Sequence, residues 1–194
     1  MSIPNAREKL SGSAAGLFQR FGYAHVSIRD ITSSIDIPKG TFYNHFKSKE
    51  ALVSAILSQH FDALLETLTE GGSETAGARF RRHFESLAPS TQTPVASPLL
   101  LISTLAAEGP ALPATLAQQI GEGVRVWSNK VAALIALAQA EGQIHAAVDP
   151  DLLAALFINC WQGAMIRAKC DPEAPCDCLR LALDRVLSVS RSEP

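Results

Sequence analysis

Lys39, Thr41, Tyr43, Asn44 and His45 place a cation, two hydroxyls, a carboxamide and an imidazole within seven residues, interrupted by Phe42 and followed by Phe46. If this stretch is helical, the two phenylalanines, four apart, lie on one face and anchor it inward, leaving the polar groups for a partner. The chemistry they suit is hydrogen bonding to base edges and to phosphate oxygens. Gly40, having no side chain, lets a sugar-phosphate backbone come close. Catalysis finds little support in the chain. There is no Ser-His-Asp pattern in a recognisable setting, no phosphate-cradling loop after a strand and no helical His-Glu-x-x-His.

The elements that must position these groups are legible on either side. Ser27 followed three residues later by Asp30 is a capping-box variant, which starts a helix there; Ser27 is also a candidate DNA contact. Ile28, Ile31 and Ile35 recur at spacings of three and four and predict a buried stripe, with Arg29, Thr32 and Ser33 facing elsewhere. Asp36 lies where the chain must turn sharply, and Asp accepts left-handed dihedrals better than most residues. Pro38 suits a first helical turn. Two short helices joined by such a turn make a helix-turn-helix, whose second helix, 39–46 here, enters the major groove. Ser48 then caps a further helix, and Lys49 at its start is expected to meet a phosphate.

These residues resemble the TetR-type transcriptional regulators. The likeness runs from Leu10 to Leu52: Ala14-Ala15-x-Leu17-Phe18 ending at Gly22-Tyr23, then Ser27 and Ile31, then Lys39-Gly40-Thr41-Phe42-Tyr43-x-His45-Phe46-x-Ser48-Lys49-Glu50-x-Leu52. Two positions depart from the pattern. Ile35-Asp36 stands where the family usually has Ala-Gly, and Pro38 where it usually has Ser, which removes a phosphate-contacting hydroxyl. The resemblance implies an all-α protein with a DNA-binding head over 1–50 and a body over 51–194 that binds an effector and dimerises. It further implies a homodimeric repressor on double-stranded, pseudo-palindromic operator DNA, released by a small molecule and needing no cofactor.

At 47% hydrophobic and 19% charged, the 194 residues have the composition of a globular chain able to bury a core. No basic segment leads into an apolar run at the start, and no uninterrupted apolar stretch reaches about 18 residues, so a membrane span is not expected and the cytoplasm is the predicted location. A net charge of −2 argues against nonspecific coating of nucleic acid. Its distribution says more: residues 1–65 hold seven Lys and Arg against five Asp and Glu, and the remainder ten against fourteen. A mildly basic head on an acidic body fits DNA contact confined to one end.

No strand signal is present, whereas the 3.6-residue period returns throughout. Helices are expected over 6–21, with Leu10, Ala14, Leu17, Phe18 and Phe21 inward and Gly22 as the stop; over 48–68; and over 77–87, with Phe80, Phe84 and Leu87 inward. A loop follows over 88–94. Then come an apolar helix over 98–108, a long one through Leu116 and Ala138 that stops at Gly142, one opened by Asp149-Pro150-Asp151 and running to Lys169, and a last one over 176–190. With the two short helices this makes about nine.

The body offers an apolar lining and an excess of apolar surface. Phe61, Phe84, Leu101, Leu105, Trp127 and Trp161 are the candidate pocket, and few charges fall among them, which points to an uncharged or weakly polar effector. The two tryptophans suit plain core positions as well. Leu152, Leu156, Gly163 and Ile166 on one helix and Leu179, Leu183 and Val186 on the last predict a four-helix interface between two copies. His83 with Arg79 and Arg82 reads as a solvated helix face, and Glu108 as a cap, a cation's partner or a pocket residue. Cys160, Cys170, Cys176 and Cys178 are expected to be reduced and lack zinc spacing, so no metal is predicted. Cys160 reads as a small buried hydrophobe. Arg167 and Lys169 beside Cys170 leave a thiol-sensing regulator open. A structural DNA-binding protein without an effector and a small helical enzyme with an interaction head are the remaining alternatives.

Overall fold

The computed structural model describes residues 5–69, 72–87, 98–171 and 177–188, and the regular structure among them is entirely helical. The helices are α1 (Ala6–Phe21), α2 (Ile28–Ser34), α3 (Lys39–His45), α4 (Lys49–Thr69), α5 (Ala76–Ser86), α6 (Pro98–Ala107), α7 (Ala114–Ala140), α8 (Pro150–Cys170) and α9 (Asp177–Ser188), with a 3-10 turn at Gly109–Ala111. No described helix is long and apolar enough to cross a membrane. Two compact units form, and neither is continuous in sequence: Met1–His60 with Val95–Glu122, and Phe61–Pro94 with Gly123–Pro194.

In the first unit the short helices are set by local hydrogen bonds. Asn5 accepts from the Glu8 N–H at 3.0 Å while the Glu8 carboxylate accepts from the Asn5 N–H, a capping box for α1. Ser27 and Asp30 make the same reciprocal pair for α2. At the other end of α2 the Asp36 N–H donates to Ser33 O at 3.3 Å and the Ile37 N–H to Thr32 O at 3.0 Å, a Schellman closure. Asp36 takes the left-handed position, at φ 51°, that this closure requires. Pro38 is the N-cap of α3, one place earlier than expected, and Phe46 is already extended, so α3 is shorter by a residue.

Leu10, Ala14, Phe18, Ile31, Phe42, Phe46 and Leu52 form the interior, and α6 packs on α1 with Leu101, Ile102 and Leu105 buried. A helix distant in sequence therefore completes the core beneath the helix-turn-helix. Two expectations from helical phase fail. Phe21, at the last residue of α1, is 52% exposed and lies 5.1 Å beneath the Arg20 guanidinium. Thr32 is buried instead, which costs little because its Oγ1 donates to Ile28 O at 3.0 Å.

In the second unit the first amides of α5 find acceptors in Thr75 Oγ1, Glu141 Oε2 (2.8 Å) and Gln143 Oε1 (2.6 Å). The arginines of α5 reach back to the carbonyls that end α4: Arg79 to Leu68 O at 2.7 Å and Arg82 to Thr67 O at 3.2 Å. They are not a solvated face, and His83, the residue after Arg82, is wholly buried. Close approach of α4 to α7 depends on Gly123, where any Cβ would fall on the Phe61 ring. The α9 helix packs on α5 and α8 with Leu183 at 0% exposure, so Leu183 is core and not interface, and the outward leucine is Leu181. Cys160, expected to be buried, is exposed on α8. The predicted loop over 88–94 and Cys176 lie outside the described residues, as do the side chains of Leu179 and Cys178.

His83 carries a defined tautomer. An indole N–H can only donate, so Trp127 Nε1–H, 2.9 Å away, makes His83 Nε2 the acceptor. The Thr67 hydroxyl hydrogen goes to Leu64 O at 2.8 Å, so at 2.7 Å His83 Nδ1 supplies its own hydrogen to Thr67 Oγ1. The ring is held neutral: burial, and secondarily the Arg82 charge, lower its pKa from 6.5 to about 3. Between those values the unfolded chain binds a proton that the folded chain does not, so this contribution to stability is complete above pH 6.5 and is lost as pH falls toward 3. Urea unfolding between pH 6.5 and 4 is expected to show a component of about 1.4 kcal/mol per pH unit that His83→Phe lacks, the variant being weaker at pH 7 but flatter. Equal slopes in the two proteins would contradict the buried neutral imidazole.

Candidate nucleic-acid interface

Phe42 of α3 and Phe46 just after it are buried in the core, while Lys39, Gly40, Tyr43, Asn44 and His45 are exposed and Thr41 is half-buried. Tyr43 is 51% exposed and stands edge-on to Phe42, ring centroids 5.3 Å apart. Lys39 Nζ lies 6.0 Å from the Tyr43 ring centroid, and a Cβ added at Gly40 would meet no neighbouring atom. One seven-residue helix thus presents a cation, a phenol, an amide and an imidazole, while two buried rings fix its rotation about its own axis.

Ser27 and Lys49 are placed otherwise. The exposed Ser27 hydroxyl accepts from the Asp30 N–H at 3.2 Å and donates to Asp30 Oδ2 at 2.6 Å; that donation, and then the Ser27 N–H bond to the same oxygen, hold the Asp30 carboxyl below its usual range. Lys49 Nζ donates to Tyr23 O at 2.8 Å and Val26 O at 2.9 Å, and sits 3.9 Å from the centroid of the Tyr23 ring. Burial pushes its pKa down, against the pull of the Glu108 charge. The ammonium expected at a phosphate instead ties the start of α4 to the connection between α1 and α2.

The same connection is held from a second side by Glu108, just past the end of α6. Its Oε1 accepts from the Tyr23 N–H and its Oε2 from the Ala24 N–H at 3.1 Å. Gly22, at φ 80°, both stops α1 and makes room, since a Cβ there would lie 2.5 Å from Glu108 Oε1. Tyr23 stacks on Phe18 with centroids 6.0 Å apart, and burial, with the Glu50 and Glu108 charges, raises its phenol pKa. Further along the unit, Thr115 Oγ1 donates to Glu50, and Gln119 Nε2 donates to Ser54 O at 3.0 Å and Ser58 Oγ at 3.1 Å, fixing the start of α7 on α4. Sequence reasoning did not find the Glu108 contact. The available signal was Gly22, which ends a helix five residues before the next cap at Ser27 and leaves amides in need of acceptors; nothing local names the acceptor.

Of the expected pocket residues, Leu101 and Leu105 are buried in the first unit, and Phe61, Phe84, Trp127 and Trp161 in the second, where Phe84 meets both tryptophan rings at 6.4 and 5.4 Å. Of the expected interface residues, Leu152, Leu156, Gly163 and Ile166 are exposed along α8 and Val186 is half-buried.

Residues 12–56 match the model for bacterial regulatory proteins of the tetR family, and residues 76–182 the tetracyclin repressor-like C-terminal domain. The chain belongs to the TetR family. Among relatives, it is 30% identical over 192 residues to the HTH-type transcriptional repressor DhaR of Mycobacterium sp. (strain GP1), covering 97% of this chain and 92% of that one. It is 30% identical over 151 residues to the transcriptional regulator AcuR of Cereibacter sphaeroides, covering 76% and 69%. The crystal structure of the regulatory protein TetR from Rhodobacter sphaeroides superposes with a TM-score of 0.76 at 28% identity, over 94% of this chain and 96% of that one. A TetR regulator from Legionella pneumophila, 22% identical over 96% and 100%, shares the fold with a TM-score of 0.81. This TetR-family protein is accordingly an all-α, DNA-binding transcriptional regulator with an N-terminal helix-turn-helix.

Lys49 and Tyr43 are expected to respond differently to truncation. Lys49→Ala removes two charge-assisted bonds to backbone and should cost about 2 kcal/mol of stability, whereas Tyr43→Ala should stay within about 0.5 kcal/mol of wild type and still weaken DNA binding. Chemical denaturation of both variants beside DNA titrations at several salt concentrations checks this. A Lys49→Ala protein of unchanged stability whose salt slope drops by about one would restore the phosphate contact.

Proposed function

We propose that the protein acts as a homodimeric repressor whose two α3 helices enter successive major grooves of a pseudo-palindromic operator, and which lets go when a small uncharged molecule binds in the body over 51–194. The observation that carries this reading is the Glu108 clamp. The carboxylate that ends α6 accepts two amides of the α1–α2 connection, so displacement of α6 acts directly on the backbone that orients the helix-turn-helix. An effector then needs only a different affinity for two placements of α6 to change the affinity for DNA. Lys39, Gly40, Thr41, Tyr43, Asn44 and His45 are the proposed DNA contacts. Ser27 and Lys49 support them by holding α2 and the connection.

The apolar stripe of α8, led by Leu152 at 69% exposure, together with Leu181 of α9 at 58%, supports self-association through these two helices. Large apolar side chains at a helical spacing on one face are surface that a monomer gains by covering. The proposed division of labour assigns DNA recognition to residues 1–50 and effector binding and dimerisation to 51–194, with α6 and the first turns of α7 serving both.

Selection of duplexes from random-sequence DNA by the purified protein is expected to enrich sites with two half-sites related by a two-fold axis. Sedimentation should give a dimer for wild type and a monomer with weakened operator binding for Leu152→Glu combined with Leu156→Glu. Leu183→Glu, in the core, should unfold the chain instead. Enriched sites without symmetry, or a double variant that remains a dimer, would sink the proposal. Release of DNA that requires modification of a thiol and is lost in a protein without cysteines would replace the small-molecule reading with thiol sensing.

A further inference from the structure

The interior of the second unit is built around one ring. Phe84 lies within 6.4 Å, centroid to centroid, of each of Phe80, His83, Trp127, Phe157 and Trp161, and all six side chains are buried. Three of these rings are hydrocarbon. The polar atoms of His83 and Trp127 are engaged in the chain from Trp127 through His83 to Thr67 and Leu64 O, each donor and acceptor matched. Trp161 Nε1–H is the exception: it is buried and has no hydrogen-bond partner. An indole N–H cannot reach its own backbone and cannot accept, so its need is specific. Left unpaired, a buried donor forfeits the hydrogen bond it makes to water in the unfolded chain. The other buried side-chain atom without a partner among the described residues, Ser103 Oγ, is a different case. A hydroxyl within a helix can rotate to a carbonyl one turn back in its own helix.

We propose that Trp161 Nε1–H is the polar anchor of the effector site, and that the effector is an uncharged, largely apolar compound presenting a hydrogen-bond acceptor of the ketone, ester or lactone type. This rests on the repressor reading above and adds to it the chemistry of the ligand. A ligand atom that only donates gains nothing at Trp161. A cation meets no carboxylate in the ring cluster, and the His83 imidazole stays neutral there. A bare anion would lose its hydration among hydrocarbon rings for a single neutral hydrogen bond. What remains is a neutral oxygen acceptor carried on an apolar body that can stack on Phe84, Phe157 or Trp161 itself, the composition that ligand sites generally show.

The chain holds two tryptophans, so the indole N–H region of a nitrogen-15 spectrum contains two signals, and Trp161→Phe assigns them. The probes are matched pairs differing only at the acceptor, such as 1-indanone with indane, acetophenone with ethylbenzene and 2-heptanone with heptane, titrated into the full-length protein. The proposal expects at least one carbonyl member to move the Trp161 signal downfield, to leave the Trp127 signal in place, and to bind about tenfold more tightly than its hydrocarbon partner, the size of one hydrogen bond. In Trp161→Phe that tenfold preference should vanish while the hydrocarbon's affinity stays. If the variant does not fold, triple-resonance spectra of the wild type assign the two signals, and the comparison of probes still decides. Hydrocarbons that bind as well as carbonyls, a response at Trp127 instead, or no response to any pair would overturn it. Operator release read in the same titrations separates the two levels. A carbonyl that moves Trp161 but leaves the operator complex intact sinks the repressor reading alone. A compound that releases the operator with the Trp161 signal unmoved sinks the anchor alone.

Discussion

Between the end of α1 and the cap of α2 the backbone has no helix to satisfy it, and buried or half-buried amides and carbonyls must still find partners. The protein meets that constraint from two places. Glu108 accepts the Tyr23 and Ala24 amides, and Lys49 donates to the Tyr23 and Val26 carbonyls. Gly22 is required because Glu108 comes so near, and the Tyr23 ring meets both Phe18 and the Lys49 ammonium. The placement of α2, and through the Asp36 turn of α3, follows from this small cluster. That is why α6 belongs with the head in space though not in sequence.

The second unit solves a different problem with similar economy of parts. It buries a histidine among aromatic rings by giving both ring nitrogens a partner and by leaving the imidazole uncharged. Arg79 and Arg82, on the same helix, turn back to the open carbonyls of α4. Polar groups that look excessive for a core are thereby matched one to one, and Trp161 stands out as the exception among them.

The helix-turn-helix could be read from the sequence because its determinants are local. Ser27 with Asp30, Asp36 in the turn, and Phe42 with Phe46 all act within four residues, and the family resemblance rests on the same positions. What escaped the reading depends on distance or on phase. Glu108 meets a segment more than eighty residues earlier, with no periodicity to mark the pair. Arg79, Arg82 and His83 look like a wet face until the long arginine stems are seen to fold back, which is a property of side-chain reach and not of spacing. Along α9, leucines at 179, 181, 183 and 187 satisfy more than one helical register. Only packing on α5 and α8 buries Leu183 and leaves Leu181 outward.

Residue-resolved hydrogen exchange on the wild type and on Glu108→Ala tests the central claim, that the carboxylate at the end of α6 holds the connection orienting the head. The Tyr23 and Ala24 amides should exchange at least about tenfold faster in the variant, the loss expected for one hydrogen bond, with the α5 amides of the second unit unchanged and DNA affinity lowered in step. Equal exchange at Tyr23 and Ala24 in both proteins would contradict it.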